Sequence, residues 1–360
     1  MEAKLQLYFN YLYFCISQTS QSLQNTDFSA IASLLIVPQR ILLTTHSNPD
    51  GDAIGSSLAL SFYLKKKGHH VDIMVPDPYP EFLSWMPGCG KILIYTFNPE
   101  ECIHAINNAD IIIAADYNQL NRLNEAGNLV RRSAAKKVLI DHHLNPLDEF
   151  DLKISITLTS STSELVFSFI EEMGDLPLLD KDIAECIYTG IITDTGSLSY
   201  ACNYIKTYQI IAELFRLGID GERLHRLIYD TYSESRLRLL GYSISDQLVV
   251  LPEFYTAYIT LSKKDMERFN YQIGDTEGIV NYALSVKNIN LAALFTERDG
   301  IVKVSFRSKG NFSVNKLARE CFGGGGHRNA AGANCTTSLE DTVLKFRNLL
   351  PSFQSQLKSV

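Results

Sequence analysis

The feature that most constrains this chain is a series of short, unbroken apolar runs rich in β-branched residues. Each run closes on a polar cluster, and most are then followed by helical spacing. Residues 40–45 (RILLTT), 70–75 (HVDIMV), 110–115 (DIIIAA) and 136–140 (KKVLI) read as strands, with 152–158 as a fifth. Runs without in–out alternation belong to strands buried on both faces, the pattern of a parallel sheet covered by helices on each side. The helical stretches are 53–67, with Ile54, Leu58, Leu60, Phe62 and Leu64, and 182–193. Between them Ser161-Thr-Ser-Glu164 forms a capping box that starts a helix. The predicted class is α/β.

A chain of 360 residues is long enough for two domains, each with its own core. Residues 203–243 read as helical without a strand, and serve as a connector. A second, smaller α/β unit follows, with strands near 247–251, 256–261, 290–296 and 302–307 and helices near 263–269, 276–285, 313–321 and 338–350. The expected division is an N-terminal extension (1–24), a parallel-sheet domain (25–202), the connector, and a C-terminal domain (244–360).

Thirty-three basic against 40 acidic residues give a formal charge of −7, which argues against gripping long nucleic acid through charge. A short anionic ligand at a local site stays open. Seven scattered cysteines without a C-x-x-C pair suit buried thiols in a reducing compartment. No run is long enough to cross a membrane. Residues 5–16 are aromatic and apolar but interrupted by Gln6 and Asn10, and lack a cleavage pattern, so an amphipathic helix or a start codon placed too early is expected there, and a cytoplasmic protein overall.

In open parallel sheets, ligands bind beyond the carboxyl ends of the strands. There the polar residues gather: Thr45-His46-Ser47-Asn48-Pro49-Asp50-Gly51-Asp52 after the first strand, Asp116 after the third, Asp141-His142-His143 after the fourth, and Thr193-Asp194-Thr195-Gly196 at a helix end. Any one of these is an ordinary turn or cap. Together they crowd carboxylates whose repulsion would raise their pKa values unless cations intervene. Gly51 is expected to let the backbone turn between Asp50 and Asp52. Imidazole and carboxylate donors without thiolates suit Mn²⁺, with Co²⁺, Mg²⁺ or Zn²⁺ as alternatives. Two ions about 3.5–4 Å apart can clamp a phosphoryl group for in-line displacement.

The runs THSNPDGDAIGSSLAL, Asp116, DHH at 141–143 and TDTG at 193–196 resemble the motifs of the DHH phosphoesterase superfamily. Gly323-Gly-Gly-Gly-His327-Arg-Asn-Ala-Ala-Gly332, preceded by Ser305-Phe-Arg307-Ser308, resembles its DHHA1 substrate-binding domain. Order and spacing are most similar to the NrnA-type oligoribonuclease and 3′-phosphoadenosine 5′-phosphate (pAp) phosphatase group. The resemblance implies His46 and Asp50 on one ion, Asp52, His142 and Asp194 on the other, and Asp116 bridging. It implies that His143 faces the scissile phosphate, with Asp141 fixing ligand geometry. It also implies phosphate contact by Arg122, short RNA and nucleotide substrates, and a possible homodimer.

Read from the residues alone, the glycine run offers backbone N–H groups without side-chain bulk, which lets a phosphate or sugar approach. Glycines alone fit a flexible loop; with the adjacent cations and, above all, the resemblance, Gly324, Gly325, Gly326, His327, Arg328, Arg307 and Ser308 are the candidate substrate cradle, while Asn311, Ser313 and Asn315 fit caps as well as contacts. The chain departs from its relatives at Leu198-Ser199-Tyr200, where an aromatic-Arg-Tyr/Phe sequence is common, and at Tyr117-Asn118-Gln119. The expected activity is Mn-dependent hydrolysis of short oligoribonucleotides and pAp. The rivals are a cyclic or linear dinucleotide phosphodiesterase and an inactive nucleotide sensor. All six metal positions are filled, which disfavours the sensor.

Overall fold

The structure, a computed structural model, describes residues 26–359. The N-terminal extension and its aromatic segment, with Cys15, lie outside the described residues. The chain divides into two compact units, the first running to Thr231 and the second from Tyr232.

In chain order the first unit contains α1 (Phe28–Leu34), β1 (Arg40–Thr44), α2 (Gly51–Lys66), β2 (His70–Val75), β3 (Leu93–Ile94), α3 (Pro99–Asn108), β4 (Ile111–Ala115), α4 (Ala126–Arg132), β5 (Lys136–Asp141), β6 (Leu152–Ser155), α5 (Thr162–Glu172), α6 (Lys181–Asp194), α7 (Ile205–Arg216) and α8 (Gly221–Tyr229). Its strands form a six-stranded sheet ordered β3-β2-β1-β4-β5-β6, parallel at every pairing. The twofold side-chain period of a strand explains why the runs had to be apolar throughout. Ile41, Leu43, Ile111 and Ile113 enter one core with Ile54 and Leu58 of α2 and Ile187 and Ile191 of α6. Leu42, Ile112, Ala114 and Leu139 enter the opposite core with Cys102 and Ile106 of α3 and Val130 of α4. Strand β3, only two residues long, escaped the sequence reading.

The second unit contains α9 (Glu234–Ser245), β7 (Leu248–Leu251), β8 (Thr256–Leu261), α10 (Lys263–Arg268), α11 (Ile279–Ser285), β9 (Leu291–Arg298), β10 (Ile301–Ser308), α12 (Val314–Phe322), β11 (Gly325–Gly326), β12 (Ala330–Cys335) and α13 (Leu339–Lys358). Its sheet runs β11-β12-β10-β9-β8-β7, antiparallel except for β8–β9. One face carries an aromatic core of Phe295, Phe306 and Phe346 under α12 and α13, and the other packs Ile259 and Leu294 against Ile279 and Ala283 of α11. The stretch 203–243 is helical, but its helices are divided between the units. Leu214 and Leu224 of α7 and α8 join the core of the first, and Leu239 of α9 joins that of the second.

Two differences from expectation have clear causes. Helix α13 was expected to stop before Pro351, whose missing N–H and ring clash oppose a helix interior. It continues to Lys358 because Leu357 is fully buried and Phe353 packs edge-on against Phe312. The hairpin β11–β12 is absent from the expected strands because its residues are mostly glycine and alanine, poor strand formers. Those small residues let the backbones meet.

Candidate metal centre

Every cluster that ends a strand in the first unit reaches one place. His46 follows β1, and Asp50 caps α2 by accepting N–H bonds from Asp52 and Ala53. Asp52 lies in the first turn of α2. Asp116 directly follows β4 and adopts a left-handed backbone, φ 66°. Aspartate tolerates that conformation better than most residues, and such strain concentrates at functional sites. His142 and His143 follow β5, and Asp194 ends α6.

The Asp116 carboxylate is the hub. Its Oδ2 lies 3.5 Å from His46 Nε2, which is 3.9 Å from Asp50 Oδ2. Its Oδ1 lies 3.4 Å from His142 Nε2, and that nitrogen is 3.4 Å from Asp194 Oδ2 and 3.8 Å from Asp52 Oδ2. His143 Nδ1 is 2.7 Å from Asp141 Oδ1 and 3.7 Å from Asp116 Oδ1. Asp52, Asp116, Asp141, His46, His142 and His143 are all buried.

Crowding and burial shift the proton equilibria of the cluster. Burial raises the Asp52 carboxyl well above its ordinary range, helped by Asp116 and Asp194. Burial likewise pushes Asp194 up to about 6. For His142 burial works downward, but Asp194, Asp116 and Asp52 outweigh it and raise the imidazole to about 10. Asp116 is held well below the usual carboxylate range, because hydrogen bonds from His142 and His46 overcome its burial. The crowded carboxylates and imidazoles thus shift one another strongly, the electrostatic setting in which divalent cations bind. The donor set fits divalent cations: His46, Asp50 and Asp116 form one triple, and Asp52, Asp116 and His142 another, each with its ligating atoms within 4.8 Å.

Close helix packing assembles the ligands. A Cβ on Gly51 would stand 2.8 Å from Thr193 Cβ, and one on Gly55 would stand 2.5 Å from the Cys186 carbonyl. The expected sharp turn at Gly51 is therefore corrected. Gly51 is the first helical residue of α2, and its lack of a side chain lets α2 approach α6 beside Asp194. Gly190 of α6 does the same toward α5, where a Cβ would meet Ser163 and Asp52 Oδ1.

Two residues at the start of α5, Thr162 and Ser163, went unassigned in the sequence, where they read only as the interior of a capping motif. Ser161 does cap the helix, accepting the Glu164 N–H. Glu164 does not return the bond to Ser161, and instead accepts from the N–H and hydroxyl of Ser160 and from the Thr207 hydroxyl. The N–H groups of Thr162 and Ser163 donate to the two oxygens of Asp52, at 2.7 and 2.9 Å. The Thr162 hydroxyl donates to Asp116 Oδ1 at 2.9 Å.

Arg122 is half-buried, and its carbonyl accepts the Ser47 N–H beside His46. At the departures from the family pattern, Asn118 bonds the Leu144 carbonyl and steadies the loop after His143. Gly196, Ser197 and Leu198 are all left-handed, and Ser197 Oγ is 3.2 Å from His225 Nε2.

In the second unit Arg307 is half-buried at the end of β10 and Arg328 is exposed. Ser308 is buried, its hydroxyl donating to the Phe312 carbonyl and accepting from Asn329, so its visible work is to hold a loop. Ser313 caps α12, and Asn315 bonds the Gly326 carbonyl. Three of the glycines have reasons internal to the fold. Gly323 is the left-handed C-cap of α12. A Cβ on Gly324 would collide with Gly332 O and stand 2.7 Å from Ala333 Cβ, and one on Gly326 would stand 2.5 Å from the Ala330 carbonyl. Gly325 has open space, and the His327 N–H closes the turn onto Ala330.

Residues 40–191 match the DHH family, N-terminal domain, and residues 255–356 match the DHHA1 domain. The Thermus thermophilus bifunctional oligoribonuclease and PAP phosphatase NrnA is 30% identical over 294 residues, 81% of this chain and 83% of that protein. The chain belongs to the DHH family. The Bacillus subtilis protein of the same name is 29% identical over 296 residues, covering 82% of this chain and 88% of that one. A crystal structure of an exopolyphosphatase-related protein from Bacteroides fragilis is 40% identical and superposes with a TM-score of 0.83, over 96% of this chain and 98% of that one. The clusters at 45–52, 116 and 141–143 fall within the DHH match, Thr193–Gly196 lies just past its end, and the glycine hairpin falls within the DHHA1 match.

Proposed function

We propose that this chain is a two-metal phosphoesterase that hydrolyses short oligoribonucleotides one nucleotide at a time and removes the terminal phosphate of pAp, with Mn²⁺ as its metal. One observation carries the reading: a single buried carboxylate, Asp116, turns one oxygen toward His46 and the other toward His142. That is the arrangement a bridging ligand needs. His46 and Asp50 would hold one ion and Asp52, His142 and Asp194 the other. Bound there, the pair would supply an activated water and electrophilic stabilisation of the phosphoryl oxygens.

The remaining steps fall to the chain itself. Asp141 accepts a hydrogen bond from His143 Nδ1, which fixes the tautomer and the ring plane. His143 Nε2 is then the atom read as meeting the scissile phosphate, where it would steady developing charge or protonate the leaving oxygen. Arg122 would add a charge-assisted contact to phosphate. In the second unit Arg307, His327, Arg328 and Gly325, where a Cβ would meet open space, are read as the substrate-binding group. Gly324 and Gly326 would then shape its backbone and Ser308 its loop. The similarity to the NrnA proteins of Thermus and Bacillus supports this substrate class. The net charge of −7 also favours a short ligand held by a few local contacts. Among the described residues no helix is long and apolar enough to cross a membrane, and the protein is read as cytoplasmic.

The test is a hydrolysis panel with Mn²⁺ present, using pAp, RNA oligomers of two to seven nucleotides, cyclic di-AMP and pyrophosphate. Release of mononucleotides from short RNA and of phosphate from pAp is expected. Cleavage of cyclic di-AMP with short RNA untouched would transfer the chain to the dinucleotide phosphodiesterases. No turnover of any substrate would favour a nucleotide sensor.

A further inference from the structure

We propose that Thr162 is a positioning residue of the metal centre, a buried hydroxyl that helps fix the plane of the bridging carboxylate. The inference rests on the two-metal reading and deepens it. Asp116 emerges from a left-handed backbone, so its main chain sets where the carboxylate stands but not how it is rotated. A carboxylate that served two ions through separate oxygens would need each oxygen turned to its own side. The Thr162 hydroxyl is fully buried and carries a single proton, which it donates to Asp116 Oδ1 at 2.9 Å. That oxygen faces His142, and holding it leaves Oδ2 turned to His46. The same residue's N–H holds Asp52 Oδ2 at 2.7 Å, so Thr162 touches two of the three carboxylates assigned to the His142 side.

The helix itself has no need of this hydroxyl. Capping of α5 is done by Ser161, whose side chain accepts the Glu164 N–H. The next residue supplies an internal comparison. Ser163 donates its N–H to Asp52, as Thr162 does, yet no bond joins its buried hydroxyl to Asp116. Two adjacent buried hydroxyls therefore differ in one respect, a bond to the bridging ligand. The turn is anchored in its own unit, since Glu164 ties Ser160 to Thr207 of α7.

The experiment is isothermal titration of the full-length, metal-stripped protein with MnCl₂, without substrate, on wild type, T162V, T162S and S163A. One hydrogen bond to a charged acceptor predicts Mn²⁺ binding about ten- to a hundredfold weaker in T162V. T162S should bind as wild type, and S163A should be unaffected. If T162V does not fold by circular dichroism, T162A makes the same comparison. Wild-type affinity and stoichiometry in T162V, or in its substitute, would overturn the assignment. So would a loss in S163A as large as in the Thr162 variant. Wild-type protein that takes up no Mn²⁺ would overturn the metal reading and this assignment together, whereas normal wild-type uptake with an unaffected Thr162 variant overturns the assignment alone.

Discussion

Gly190→Ala opposes two physical effects of opposite sign. Gly190 lies inside helix α6, and replacing an interior helical glycine by alanine stabilises a helix by about 0.5–1 kcal/mol when nothing else changes. Here something else changes. The new Cβ would overlap Ser163 Oγ and would stand 2.7 Å from Ser163 Cβ and 2.6 Å from Asp52 Oδ1. To reach the 3.4 Å of an ordinary contact, Ser163 Cβ must retreat by about 0.7 Å and Asp52 Oδ1 by about 0.8 Å. Rotating the serine hydroxyl away relieves neither, so α5 and α6 must separate. Overpacking of this kind costs about 1–3 kcal/mol, and weakening the Ser163 N–H bond to the Asp52 carboxylate adds about 1.5–3 kcal/mol. The clash outweighs propensity, and the variant should be less stable. At about 2–4 °C per kcal/mol for a unit of this size, a net loss near 3 kcal/mol lowers the melting temperature of the first unit by roughly 6–12 °C. Moving Asp52 by most of an ångström should also cost about a hundredfold in turnover. Calorimetry and Mn²⁺ titration read the two effects. Adding Ser163→Gly removes the serine overlaps but not the one with Asp52, so the double variant should regain part of the stability and little of the metal affinity. A G190A protein that melts higher than wild type and binds Mn²⁺ normally would refute the reasoning.

Other outcomes follow from the same geometry. Asp194→Ala removes a donor from the His142 side alone, so the protein should retain one Mn²⁺ by titration while hydrolysis falls by at least about a thousandfold, a scale set by losing one partner of a two-ion clamp. Glu164→Gln keeps the size of a buried acceptor that takes three bonds, but leaves an amide facing the Ser160 and Thr207 donors; a loss of about 1–3 kcal/mol in urea unfolding is expected. In the second unit Gly324→Ala should destabilise, because its Cβ strikes β12, whereas Gly325→Ala should leave the thermal melt unchanged and raise KM for short RNA. Equal melting temperatures for those two variants would contradict the hairpin packing. Chelation with EDTA should abolish hydrolysis, and added Mn²⁺ should restore it; activity that survives chelation would count against the metal reading.

The legibility of this chain followed chemistry that stays local. An unbroken run such as Asp110-Ile-Ile-Ile-Ala-Ala115 carries its own evidence of double burial, and Ile111 and Ile112 do enter opposite cores. Placing His46, Asp116 and His142 at strand ends was enough to predict that they share a crevice, since parallel strands end on one side. Contacts between distant segments were hidden. Gly51 beside Asp50 looks like a turn residue, and only the neighbourhood of Thr193 shows that it is a contact between helices. Thr162 sits in a capping motif whose cap is its neighbour, so its tie to Asp116, 46 residues earlier, left no local trace. The strand Ala330–Cys335 was invisible for the opposite reason. Its small residues are demanded by the approach of Gly324 and Gly326, which lowers the very propensity by which a strand is recognised. In α13 a strong local stop, Pro351, lost to the burial of Leu357.

The central claim is that one carboxylate joins two ions, and anomalous diffraction at the manganese edge from crystals grown with Mn²⁺ tests it most directly. Two peaks about 3.5–4 Å apart are expected, one beside His46 and Asp50 and one beside Asp52, His142 and Asp194, with an Asp116 oxygen on each. A single peak, or two peaks that do not share Asp116, would contradict the account.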